Sequence, residues 1–240
     1  NGCANPFDII CGTSAGGLNA AVLATHADCL QSGIERLEKV WNNFQSEQVY
    51  RTDWPGVLRR AARFLWTMAF GRLRPDLPVS LLDNSPLRTL LTQHIELPRV
   101  HNAIQAGHLR ALCITASGYS SGESVSFYQG ISELENWRRS RRLGIRANIT
   151  LEHLLASAAI PILFPAVRVN REFFGDGALR QLSPISPALH LGAKRVLVVG
   201  VSGQPRQNIR RRILSYPSIA QVAGHILNSS FIDSLEADVE

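Results

Sequence analysis

The chain has 240 residues, 45% of them hydrophobic and 18% charged, which is enough to bury a substantial core and excludes a disordered or collagen-like polymer. A formal net charge of +6 suits anionic surfaces and by itself does not separate nucleic acid from acidic lipid. No apolar run approaches the roughly 18 residues of a bilayer span. Four cysteines, Cys3, Cys11, Cys29 and Cys113, form no C-x-x-C pair and have no histidine at metal-ligand spacing. They are expected as reduced, mostly buried thiols, consistent with a cytoplasmic protein. The chain opens at Asn1 without Met and stops in mid-pattern at Glu240, so a fragment is expected, read as a single domain over residues 1–240.

Phe7 to Cys11 is a short apolar run ending at Gly12 and predicts a buried strand. Leu18 to Leu30, rich in alanine and leucine, predicts a helix. Ile34, Leu37, Val40, Trp41 and Phe44 recur at helical spacing and predict a second one. Asn84, Ser85 and Pro86 supply cap and first-turn chemistry for a helix over Leu87 to Gln93. Leu109 to Ala116 and Ser124 to Tyr128 read as strands joined through a Gly- and Ser-rich turn at Gly118 to Gly122. Thr150 caps a helix that Pro161 must stop. Arg195 to Val201 reads as a buried strand, and Ser218 to Val239 as a final helix. Strands and helices alternate through much of the chain, so a mostly parallel sheet covered on both faces is expected.

The strongest local signal is Gly12-Thr13-Ser14-Ala15-Gly16-Gly17 between the first strand and the first helix. A serine there sits on a sharp turn that pushes its hydroxyl out of the sheet. Such a turn is crowded, and Gly12 and Gly16 are expected to provide the room. Unpaired N–H groups at a helix start favour negative charge, so the Ala15 N–H is a candidate oxyanion donor. Neither a P-loop nor a dinucleotide fingerprint fits, because the Lys-Ser/Thr of the first and the G-x-G-x-x-G of the second are absent.

Serine needs a group to take or orient its proton. None of the seven histidines, His26, His94, His101, His108, His153, His190 and His225, stands in an evident catalytic frame. Asp176, in Phe173-Phe174-Gly175-Asp176-Gly177-Ala178, has a more distinctive setting, although an aspartate on a turn often serves only its own backbone.

Taken together, G-T-S-A-G-G after an apolar strand, S-A-A-I-P-I-L-F-P-A-V from Ser157 to Val167, and D-G-A from Asp176 closely resemble the patatin-like phospholipases. The resemblance runs from about Phe7 to Gly200. It implies a three-layer α/β/α fold and a serine–aspartate dyad without histidine, with Ser14 as nucleophile and Asp176 as base, Gly12, Gly16, Gly177 and Ala178 completing the motifs. It also implies hydrolysis of carboxylic esters of lipids through an acyl-serine, with a lipid substrate and no metal or organic cofactor. The family carries a glycine-rich oxyanion loop after its first strand. Asn1 to Pro6 contains none, so that strand and loop are expected to be missing.

Two other readings stay open. One is a catalytically inactive lipid-binding or regulatory module. The other is an α/β-hydrolase with a Ser-Asp-His triad using His190 or His225. Three basic clusters suit peripheral binding to an anionic membrane: Arg59, Arg60 and Arg63 among the aromatics of Val57 to Phe70; Arg138, Arg139, Arg141 and Arg142 beside Trp137; and Arg210 to Arg212. No nucleic-acid motif accompanies them. The sequence is silent on oligomeric state.

Overall fold

The computed structural model describes residues 3–42, 62, 80, 82–180 and 184–200. In chain order, strand β1 (Ile9–Thr13) leads into helix α1 (Ala15–Thr25), followed by α2 (Leu30–Asn42), α3 (Ser85–His94) and α4 (Pro98–Gln105). Strands β2 (Ala111–Gly118), β3 (Ser124–Gly130), β4 (Trp137–Arg139) and β5 (Arg142–Arg146) come next, then α5 (Leu151–Ser157). Strands β6 (Val167–Val169) and β7 (Glu172–Asp176), a 3₁₀ turn (Gly177–Arg180) and α6 (Ser186–His190) complete the described chain.

β2 is the hub of a seven-stranded sheet, and all eight of its residues are buried. Along one edge it pairs with β3. The other edge is shared: β1 lies parallel to Ala111 to Thr115, and β7 lies antiparallel to Ala116 to Gly118. Beyond β3 come β5, in parallel, and then β4, while β6 flanks β7.

The sheet is therefore mostly antiparallel, which corrects the parallel expectation. Three connections are too short for a parallel crossover: Tyr119 to Glu123, Ser140 to Arg141, and Asn170 to Arg171. A two- to five-residue link can only fold the chain back on itself.

The two faces are unequally covered. Leu112, Ile114 and Ala116 of β2, with Phe127 of β3 and Phe174 of β7, pack against apolar residues of α1, α3, α4 and α5 in the main core. The opposite face carries a small cluster of Ala111, Cys113, Tyr128, Leu134 and Leu191, the last just after α6.

The segment expected to be a buried strand from Arg195 is, over 195–200, exposed and in no strand among the described residues, with Leu197 69% and Val199 86% accessible. Hydrophobicity alone cannot supply a ladder partner. The first helix ends at Thr25, short of the expected Leu30, and α4, α6 and the short strands β4 to β7 add to the expected elements. Phe44, the Val57–Phe70 cluster apart from Ala62, Arg210 to Arg212 and the Ser218–Val239 helix lie outside the described residues.

The cysteine reading also changes. Cys3 and Cys29 are joined in a disulfide, with Cα atoms 4.7 Å apart. The Leu30 N–H donates to the Cys3 carbonyl at 3.0 Å, so the first described residues are tied to the start of α2. Cysteine spacing in sequence could not reveal this, because the pairing depends on where α1 turns the chain back. The cytoplasmic expectation loses the support it drew from reduced thiols. Cys11 and Cys113 are free, and Cys113 is buried. No helix among the described residues is long and apolar enough to cross a membrane.

Candidate active site

β1 ends at Thr13, level with Thr115 of β2, and β7 ends at Asp176, level with Ala116. One strand thus serves as the ruler for both ends. Ser14 Oγ donates to Asp176 Oδ2 at 2.6 Å, across 162 residues of sequence.

The elbow is built by local sterics. Ser14 takes φ 54° and ψ −131°, a strained conformation for a residue with a side chain. A Cβ on Gly12 would overlap the Gly16 carbonyl, 2.6 Å from its carbon and 2.7 Å from the Gly17 Cα. These are backbone atoms of the helix start and cannot swing aside. Gly16 is different: a Cβ there would meet nothing within 4 Å. The close approach is made by the carbonyl of Gly16, not its α-carbon, so the expectation of symmetrical steric need fails at this position. The Ala15 N–H, at the exposed start of α1, makes no hydrogen bond among the described residues.

Asp176 is held by burial. It is fully inaccessible and stands at a strand end, not on the turn expected for it. Its Oδ1 accepts the Ala178 N–H at 2.9 Å, and its own N–H donates to the Ala159 carbonyl at 2.9 Å. Burial pushes its carboxyl up to about 6, opposed by the hydrogen bonds from Ser14 and Ala178, which favour the charged form. Gly177 follows because a Cβ there would strike the Thr115 carbonyl of β2, 2.7 Å from its carbon.

Ser157, fully buried at the end of α5, ties these parts together. Its Oγ accepts the Ser14 N–H at 2.9 Å and donates to the Thr115 carbonyl at 2.6 Å. The sequence marks Ser157 only as the first residue of a motif. Its role depends on a contact 143 residues away and has no local signature. Downstream in that motif, Ile162 takes φ 71° and is 52% exposed, an uncommon state for a β-branched residue.

The histidines stay apart. His153 is buried, with Nδ1 accepting the Thr150 N–H at 3.1 Å and its ring edge-on to Phe127; burial lowers its pKa, partly offset by Glu152. His190 stacks on Trp137 with centroids 5.1 Å apart, and burial and then Arg139 and Arg142 lower its pKa. No histidine among the described residues hydrogen-bonds Ser14 or Asp176, and His225 lies outside them. No group of three or more potential metal-ligating side chains occurs among the described residues.

A strained serine on a strand-to-helix elbow, with a buried carboxylate on its hydroxyl, defines an α/β protein of the nucleophile-elbow class. The chain belongs to the patatin-like phospholipase family, whose model matches residues 1–189. No curated protein matches it. Members of this family are in general lipid acyl hydrolases, typically esterases.

Proposed function

We propose that this chain is a single-domain serine acyl hydrolase that cleaves a carboxylic ester of a lipid, with Ser14 as nucleophile and Asp176 as general base. The observation that carries the reading is the 2.6 Å hydrogen bond from Ser14 Oγ to a fully buried carboxylate. A free aspartate, with a pKa near ~3.9, is a poor base at neutral pH. At about 6, Asp176 is still ionised at neutrality and closer in basicity to a working general base.

Asp176 Oδ2 takes the hydroxyl proton as Ser14 Oγ attacks the ester carbonyl carbon. The resulting oxyanion lies near the Ala15 N–H at the start of α1, where the helix dipole also favours negative charge. Collapse breaks the bond to the alcohol oxygen, which leaves with the proton from Asp176, and an acyl-serine remains. Water, giving a proton to Asp176, then attacks the acyl carbon, and collapse releases the fatty acid as Asp176 returns that proton to Ser14 Oγ. Ile162, half exposed three residues after Ala159, whose carbonyl accepts the Asp176 N–H, is the apolar residue assigned here to the acyl chain.

Labelling with a fluorophosphonate tests the assignment. Wild type is expected to label, Ser14→Ala not at all, and Asp176→Asn far more slowly. A folded wild type that does not label would return the chain to the inactive lipid-binding reading. Normal labelling of Asp176→Asn would remove the dyad.

A further inference from the structure

A cavity of about 440 Å³ is lined by Ser117, Gly118, Tyr119, Gly122, Arg141 and Arg180 among others, and neither Ser14 nor Asp176 lines it. Arg141 comes from the turn between β4 and β5, and Arg180 ends the 3₁₀ turn. The volume is that of a small-ligand site.

Among the described residues, two arginines here face a single unpaired carboxylate, Glu172, which lies beside Gly118. Glu123 is paired with Arg138 at 2.9 Å. Glu172 accepts the N–H groups of Ser120 and Ser121, at 2.9 and 2.6 Å, inside the turn that forms the cavity wall. Neither Arg141 nor Arg180 has a carboxylate partner among the described residues. Arg180 is anchored by one donor, Nη1 to the Gly122 carbonyl at 2.9 Å, which fixes its fork while leaving its other N–H groups without described partners. Arg141 stands at φ 57°, a turn position that favours glycine or asparagine. Two arginines and a tyrosine in one lining supply the kinds of N–H and O–H donor that a tetrahedral oxyanion takes.

The flank is aromatic. Tyr119 and Phe173, 52% and 51% exposed, are linked by the Tyr119 N–H to the Phe173 carbonyl at 3.0 Å. Half-exposed aromatics beside arginines fit a headgroup boundary better than bulk water.

We propose that this cavity binds the phosphate of an anionic lipid headgroup, at a site separate from the Ser14–Asp176 pair. A phosphate monoester exposed at a vesicle surface would enter it, whereas one covered by a further headgroup would enter poorly.

The test uses Ser14→Ala protein, so that lipid stays intact whether or not the proposed hydrolysis is correct. Binding is measured by co-sedimentation with phosphatidylcholine vesicles doped with phosphatidate or with phosphatidylglycerol at matched surface charge, so general attraction cancels in the ratio. The expected preference for phosphatidate is about tenfold, as for loss of a charge-assisted phosphate contact. It should disappear in R141Q/R180Q and persist in R138Q/R139Q, which removes the same charge next to the cavity. Arg141→Gly, which relieves the positive φ, should melt no lower than its parent yet lose preference. Equal binding to both vesicle types, or equal loss of preference in both double variants, would overturn the proposal. Inorganic phosphate binding as tightly as vesicle-borne phosphatidate would also overturn it, in favour of a site for the free anion.

Discussion

Ser14 and Asp176 meet on the same edge of β2, but the chain secures them by different means. The serine is held by steric exclusion within a few residues: Gly12 is pressed against the Gly16 carbonyl, and the helix starts at once. The aspartate is held by distant parts, namely the β2 ladder and the Ala159 carbonyl, and it is completely buried. One half is rigid because its backbone has no alternative. The other holds its proton more tightly because its surroundings deny it solvation. In the proposed mechanism a nucleophile needs a fixed direction and a base needs a shifted affinity for a proton, and the two modes of support would supply these separately.

The largest expected effect breaks the aspartate half. Asp176→Asn keeps the shape and should lower turnover by about 10⁴, the scale seen when a catalytic aspartate is made neutral, measured on a soluble ester. The same variant should be the more stable protein at neutral pH. Folding raises the Asp176 pKa from 3.8 to about 6, so the native state holds that proton more tightly than the unfolded chain. The resulting stabilisation is complete below about pH 4, falls through the interval and is gone above about pH 6, a change of about 3 kcal/mol. Denaturant midpoints of wild type and Asp176→Asn should therefore diverge as pH rises through that window, with the variant ahead. Parallel curves would show that burial does not set the base.

Breaking the serine half should act on folding. Gly12→Ala forces a methyl into fixed backbone and should cost about 3 kcal/mol or more, read as a lower melting temperature. Gly16→Ala should cost under about 0.5 kcal/mol, because the space is open. Equal losses at the two positions would mean that the elbow is not held as described.

Ser157 joins the two halves and sharpens the comparison. Ser157→Ala leaves the Ser14 N–H and the Thr115 carbonyl without their partner and should reduce kcat by about 10- to 100-fold, from a misplaced nucleophile. KM should change little, and Ser157→Thr, which keeps the hydroxyl, should recover part of the loss if the helix end admits its methyl. The smallest effect is on pH dependence: the rising limb of kcat/KM should centre near 6, where Asp176 ionises, not near 4.

This division also explains what could be read in advance. The Gly12–Gly17 elbow was legible because its constraints lie within six residues. Asp176 drew notice through its flanking glycines, the aromatics before it and the D-G-A motif, of which Gly177 is required by the Thr115 carbonyl. Ser157 carried no sign of its function, since its partners lie 143 and 42 residues away. The sheet direction was misread for a related reason: strand runs were visible as hydrophobic stretches, while the two-residue turns at Ser140–Arg141 and Asn170–Arg171 carry Ser, Arg and Asn, with no glycine to announce a reversal. The Cys3–Cys29 pairing likewise depends on three-dimensional return of the chain.

The exposed Asn170–Arg171 turn has a wider meaning for change in this chain. Side chains along a strand point alternately to opposite faces, so the hairpin has something like a reading frame of two. One residue added at this turn, if the shift passed into the β7 ladder, would aim the carboxylate at the wrong side of the sheet while leaving every residue of the D-G-A motif in place. Two added residues would restore the frame. Length variation in a solvent-facing turn could then silence or spare the chemistry by its parity alone.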